Sequence, residues 1–168
     1  GNVIEPSAMQ FSLDGVDLTQ GVEIGTPQRY EINETYPWHG AHGVATNRCN
    51  GLKIPVAHPK SNQRYTLEMR VFDDAAAFRF LVESNSSAAR VPDEATAFTL
   101  PKMSTVWHHN LQGHYEGVHS RTAAAEIATG EWLAPPVTFQ LPGAAGYAAI
   151  TEAALLNYSG MALPGTRS

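Results

Sequence analysis

Residues 65–82 read YTLEMRVFDDAAAFRFLV, and their periodicity decides the fold class. Tyr65, Leu67, Met69 and Val71 fall on one side of an extended chain, and Thr66, Glu68 and Arg70 fall on the other. A period of two with β-branched and aromatic members marks a half-buried strand. Asp73 and Asp74 interrupt it with turn-forming side chains. Alternation resumes over 75–82, where Phe78, Phe80 and Val82 oppose Arg79 and Leu81. Two alternating runs about a short turn predict an antiparallel hairpin.

Outward from this hairpin, shorter strands are predicted over 10–13, 51–56, 96–100, 105–109, 137–141 and 147–151. Pro27, Pro37, Pro92, Pro101, Pro135, Pro136 and Pro142 punctuate them, a spacing that suits packed antiparallel sheets. Residues 123–128 and 152–156 each have the composition of a helical turn or two. The fold class is all-β, an antiparallel β-sandwich, and the 168 residues are expected to form a single domain over 1–168. With 16% charged and 43% hydrophobic residues, the chain has the composition of a globular domain and not of a disordered segment or a coiled coil.

Eleven basic against 16 acidic residues give a net charge of -5, and the three lysines (Lys53, Lys60, Lys102) form no phosphate-binding patch. Nucleic acid is therefore not an expected partner. No apolar run reaches the roughly 20 residues of a spanning helix, so no membrane is expected either. The single Cys49 leaves no internal disulfide and no multi-cysteine zinc site. Gly1 in place of an initiator Met reads as a trimmed N-terminus.

Three groups of side chains carry possible chemistry. His39 and His42 lie beside Trp38, while His108, His109, His114 and His119 flank Glu116. Grouped imidazoles can ligate a metal, and a His and Glu pair can exchange a proton, although these spacings match no zinc motif. Trp38, Trp107, Trp132, Tyr115 and Tyr147 can each serve as a stacking platform for a sugar ring or belong to the core. Together with Glu116, the residues Trp38, Trp107 and Tyr115 are the expected contacts to substrate. Glu152 is wedged between apolar stretches at 147–151 and 153–156, which is costly for a carboxylate without a partner. It can cap a helical turn or give oxygens to a hard cation such as calcium.

Several blocks carry a resemblance. Residues 149–161 read AITEAALLNYSGM, and this stretch is similar to the strand and turn near the end of the N-terminal domain of glycoside hydrolase family 97, the bacterial α-glucosidases and α-galactosidases. Residues 3–18 (VIEPSAMQFSLDGVDL), 34–50 (ETYPWHGAHGVATNRCN), 67–80 (LEMRVFDDAAAFRF), 94–100 and 115–117 resemble the family in the same order and span nearly the whole chain. Asp74 and Ala75 stand where the family has a glycine-containing turn. The resemblance implies a galactose mutarotase-like super-sandwich, incomplete here, that precedes a catalytic barrel in a longer enzyme. It implies that the catalytic carboxylates lie outside this chain, so the fragment itself is expected to be inactive. It implies calcium in the full-length enzyme, with Glu152 as a ligand and Glu116 as the alternative. Carbohydrate and the catalytic barrel are the implied partners, in a periplasmic or secreted setting. Two other readings stand beside this one: a carbohydrate-binding module using Trp38, Trp107 and Trp132, and a mutarotase-like isomerase drawing on His108, His114 and Glu116.

Overall fold

The computed structural model describes residues 1–83, 88–113, 116–156 and 158–166. Among the described residues strands dominate, with only three short 3₁₀ turns at Pro59–Ser61, Ala124–Glu126 and Pro142–Ala144. The chain forms two compact units, residues 9–96 and residues 1–8 with 97–168. Among the described residues no helix is long and apolar enough to cross a membrane.

The 9–96 unit contains β1 (Phe11–Leu13), β2 (Val16–Asp17), β3 (Glu23–Ile24), β4 (Gln28–Pro37), β5 (Val44–His58), β6 (Gln63–Val71), β7 (Ala76–Val82) and β8 (Pro92–Glu94). All pairings are antiparallel: β2-β1-β8 form one sheet, and β3-β5-β6-β7 with β4 on β5 form the other. The hairpin read from residues 65–82 is β6–β7, closed by the amide of Phe72 donating to the carbonyl of Ala75. Its apolar face does what the alternation predicts. Tyr65, with Phe80 and Val82 beside it, packs on Phe11, Leu13 and Leu18 from the smaller sheet. Phe11 stacks on Phe80 at 4.7 Å between ring centroids, and the Tyr65 hydroxyl donates to the carbonyl of Leu18 at 3.0 Å. Each such buried side chain contributes about 1.5–3 kcal/mol.

The second unit contains β9 (Thr105–His108), β10 (Ser120–Ala123), β11 (Trp132–Leu133), β12 (Val137–Gln140), β13 (Tyr147–Ile150) and β14 (Leu163–Pro164). Strands order β10-β9-β12-β13 in one antiparallel sheet, and β11 pairs with β14. Val106, Leu133, Val137 and Phe139 are its core, with Ile4, Leu100, Ile127 and Ile150 against them.

The all-β antiparallel reading therefore holds, and five of the six predicted short strands lie where expected, at β1, within β5, and at β9, β12 and β13. Two local readings are corrected. Residues 96–100 are extended but make only an isolated bridge, Thr99 with Glu5, because the Ala97 amide donates to the carbonyl of Ala8 while the Thr99 amide donates to the Ser7 hydroxyl in place of a backbone carbonyl. Residues 152–156 are not helical: Ala154 has φ of +52°, a left-handed conformation that ends any helix there. The predicted turn at 123–128 is present as the 3₁₀ turn Ala124–Glu126.

Candidate functional site

Strand β13 delivers the chain to Glu152, and the loop that follows returns at Met161. One oxygen of the Glu152 carboxylate, Oε2, accepts the backbone N–H of Met161, so the side chain ties the two ends of the loop together. Among the described residues no helix follows it to be capped. Glu152 is half-buried on a hollow of about 420 Å³ that Pro135, Thr151, Leu155 and Gly160 also line. A carboxylate offers roughly four lone-pair positions and the amide uses one, which leaves capacity for a cation. The arrangement can hold one hard ligand in a fixed place. It offers little else acidic: among the described residues no group of three or more His, Cys, Asp or Glu comes together.

Within the same unit, Trp107 is not among the residues that line this hollow. Trp38 belongs to the 9–96 unit, at the tip of the β4–β5 hairpin, 58% exposed and edge-on to Tyr36. Trp107 is on β9, with Tyr147 5.8 Å away and the Arg121 guanidinium 5.6 Å from its ring centroid. Glu116 is in an exposed loop, while Tyr115 and His114 lie outside the described residues. Trp132 is half exposed beside a second hollow shared with Asn110, Leu111, Gln112 and Glu131.

The histidines separate into different environments. His108 is buried, its Nε2 3.1 Å from the Thr122 hydroxyl. Its Nδ1 has no hydrogen-bond partner among the described residues and lies 3.9 Å from Glu131 Oε1, so the carboxylate beside it is Glu131. His109 and His119 meet edge to face at 4.9 Å, and His39 and His42 lie in the turn between β4 and β5.

A charged cluster in the 9–96 unit was not singled out from the sequence. Glu68, only 3% exposed, accepts hydrogen bonds from the Tyr30 hydroxyl and from Arg79 Nε at 2.6 Å, with Arg70 3.5 Å away. Burial alone would raise the Glu68 pKa, but the Tyr30 and Arg79 hydrogen bonds and the two guanidinium charges together hold it below the usual carboxylate value. Burial and the same carboxylate raise the Tyr30 hydroxyl. The signal was available: alternation puts Glu68 on the polar face of β6, and cross-strand pairing with Arg79 completes it. Every member is engaged with another, which is the arrangement of a structural network.

Across residues 1–168 the sequence matches the family described as Glycosyl-hydrolase 97 N-terminal. A curated relative, a probable retaining alpha-galactosidase from Streptomyces bingchenggensis (strain BCW-1), is 29% identical over 157 residues, covering 91% of this chain and 23% of the relative. A solved structure, the crystal structure of beta-arabinopyranosidase, is similar with a TM-score of 0.72 at 18% identity, over 88% of this chain and 26% of that one. The latter is a likeness of fold. The chain spans about a quarter of the length of each.

Proposed function

Because the chain belongs to the glycosyl-hydrolase 97 N-terminal family over its whole length, we propose that it is the N-terminal β-sandwich part of a calcium-dependent glycoside hydrolase acting on α-galactosides or α-glucosides. Its work in that enzyme is to support a catalytic barrel and to contribute one carboxylate, that of Glu152, to a calcium site. The setting proposed with it is periplasmic or secreted.

The observation that carries this reading is the fixed carboxylate of Glu152, held by the Met161 amide at an open hollow. Calcium takes six to eight oxygens at 2.3–2.6 Å, so a site using Glu152 draws most of its ligands from elsewhere. Bound there, calcium supplies positive charge that orders its ligands. Glu152 brings a carboxylate already restrained by a backbone hydrogen bond, which lowers the entropy lost on ligation. Glycoside hydrolysis itself needs an acid and a second carboxylate flanking the bond, about 5–5.5 Å apart in retaining enzymes. Neither role is assigned to a residue of this chain.

The test is calcium titration by calorimetry on the intact enzyme and its Glu152→Gln variant. Gln keeps an oxygen acceptor for the Met161 amide but removes the charge. Calcium binding at least tenfold weaker in the variant, with unchanged thermal unfolding in the metal-free state, supports the ligand role. Unchanged calcium affinity and activity would rule it out.

A further inference from the structure

The four-stranded sheet of the second unit has a face that neither its core nor Glu152 uses. Register places Arg121, Trp107, Thr138 and Ala149 in one cross-strand row and Ala123, Thr105, Gln140 and Tyr147 in the next. The intervening residues Val106 and Phe139 point to the core, so these eight share the opposite face. Tyr147 is 66% exposed, and Trp107, Thr105, Thr138 and Gln140 are half-buried. The Trp107 and Tyr147 rings are 5.8 Å apart and tilted by 52°, with Arg121 against the Trp107 ring.

The composition of this face selects its occupant. It has two large rings, two threonine hydroxyls, an amide and a guanidinium, and its only aliphatic side chains are the methyl groups of Ala123 and Ala149. A protein interface centres on tightly packed, desolvated apolar side chains, whereas a pyranose presents an apolar C–H face ringed by hydroxyls. Aromatic rings match the first, and Gln140, Arg121 and the threonines supply donors and acceptors for the second. Their positions on neighbouring strands of one sheet hold them rigidly, which limits the ordering cost on binding. We propose that this face is a surface carbohydrate-binding site that takes a neutral pyranose polymer on Trp107 and Tyr147. It needs neither calcium nor hydrolysis, so it stands or falls separately from the role of Glu152.

The test is affinity electrophoresis of the intact protein in gels containing starch or galactomannan, with calcium chelated. The expected result is retardation by at least one polymer, weakened at least tenfold by Trp107→Ala and by Tyr147→Ala and unchanged by Ile24→Ser, an exposed position in the other unit. Tyr147 is exposed, so its variant decides the matter even if Trp107→Ala fails to fold. Absence of retardation on both polymers overturns the proposal. So does retardation that persists in Tyr147→Ala, which would locate sugar binding elsewhere. Hydroxyl-radical footprinting of the sugar-free protein gives a third outcome: protection of both rings would show that the rest of the protein covers this face, and would also overturn it.

Discussion

Gly51 shows how one residue's lack of a side chain can organise a charged cluster. It faces Tyr30 across the β4–β5 pairing, and a Cβ built on it would fall 2.0 Å from the Tyr30 ring. The ring therefore lies flat on the backbone of β5, with its hydroxyl reaching Glu68 and accepting from Arg70 Nε at 3.0 Å. Gly51→Ala should displace the ring, break these bonds and cost about 1–3 kcal/mol, as overpacking does. Urea unfolding of a double-mutant cycle checks the cause. In a Tyr30→Ala background the clash is gone, and Gly51→Ala should then be neutral or slightly stabilising. An equal loss in both backgrounds would mean that the glycine serves the strand and not the ring. At this scale Glu68 was legible as a polar-face residue beside Arg70, but Tyr30 and Arg79 became its partners only through strand register.

At the scale of elements, the β1–β2 connection is a two-residue turn, Asp14-Gly15, with φ of +52° and +77°. Positive φ at both positions is the type I′ geometry that matches strand twist and favours Asp-Gly. Asp14 also accepts the Val91 amide at 2.8 Å and the Arg90 side chain, which fastens the turn to the approach of β8. These bonds, the Val91 amide first, hold the Asp14 carboxyl below its usual value. Asp14→Ala should lower the urea midpoint more than Asp14→Asn, because Asn retains both the left-handed preference and an acceptor. The difference between wild type and Asp14→Asn should narrow as pH falls through the lowered carboxyl pKa, since the stability it contributes is present above its unfolded value of 3.8. Equal midpoints for the Ala and Asn variants would remove this account. Strand β4 went unread because its residues are exposed or half-buried on both faces, which leaves little apolar contrast for period two to reveal. The apolar run 153–156 read as helical for the opposite reason. Its leucines are exposed, and a single helical turn without packing does not hold.

For the molecule as a whole, the central matter is how much of an enzyme 168 residues contain. The proposed function places the hydrolytic carboxylates and most calcium ligands outside the chain, so the chain by itself should release no nitrophenol from nitrophenyl α-galactoside or α-glucoside. Its thermal midpoint should not move with EDTA, whereas the midpoint of the intact enzyme should fall, because a ligand stabilises only the state that binds it. Turnover or an EDTA shift in the isolated chain would show a complete site here and overturn the division.

The sequence by itself determined the all-β class, the β6–β7 hairpin and, through its ordered blocks, the resemblance to glycoside hydrolase family 97. Those properties live in local alternation, turn chemistry and short motifs, which neighbouring residues specify. Tertiary structure alone decided that Glu152 ties a loop and caps no helix, that Glu68 gathers Tyr30, Arg70 and Arg79, and that Trp107 shares a face with Tyr147. Apart from Arg70, two positions from Glu68 on the same strand, these join residues from nine to 40 positions apart. Pairing across that separation is set by strand register and loop return, which depend on the packing of the whole sheet and not on any local pattern.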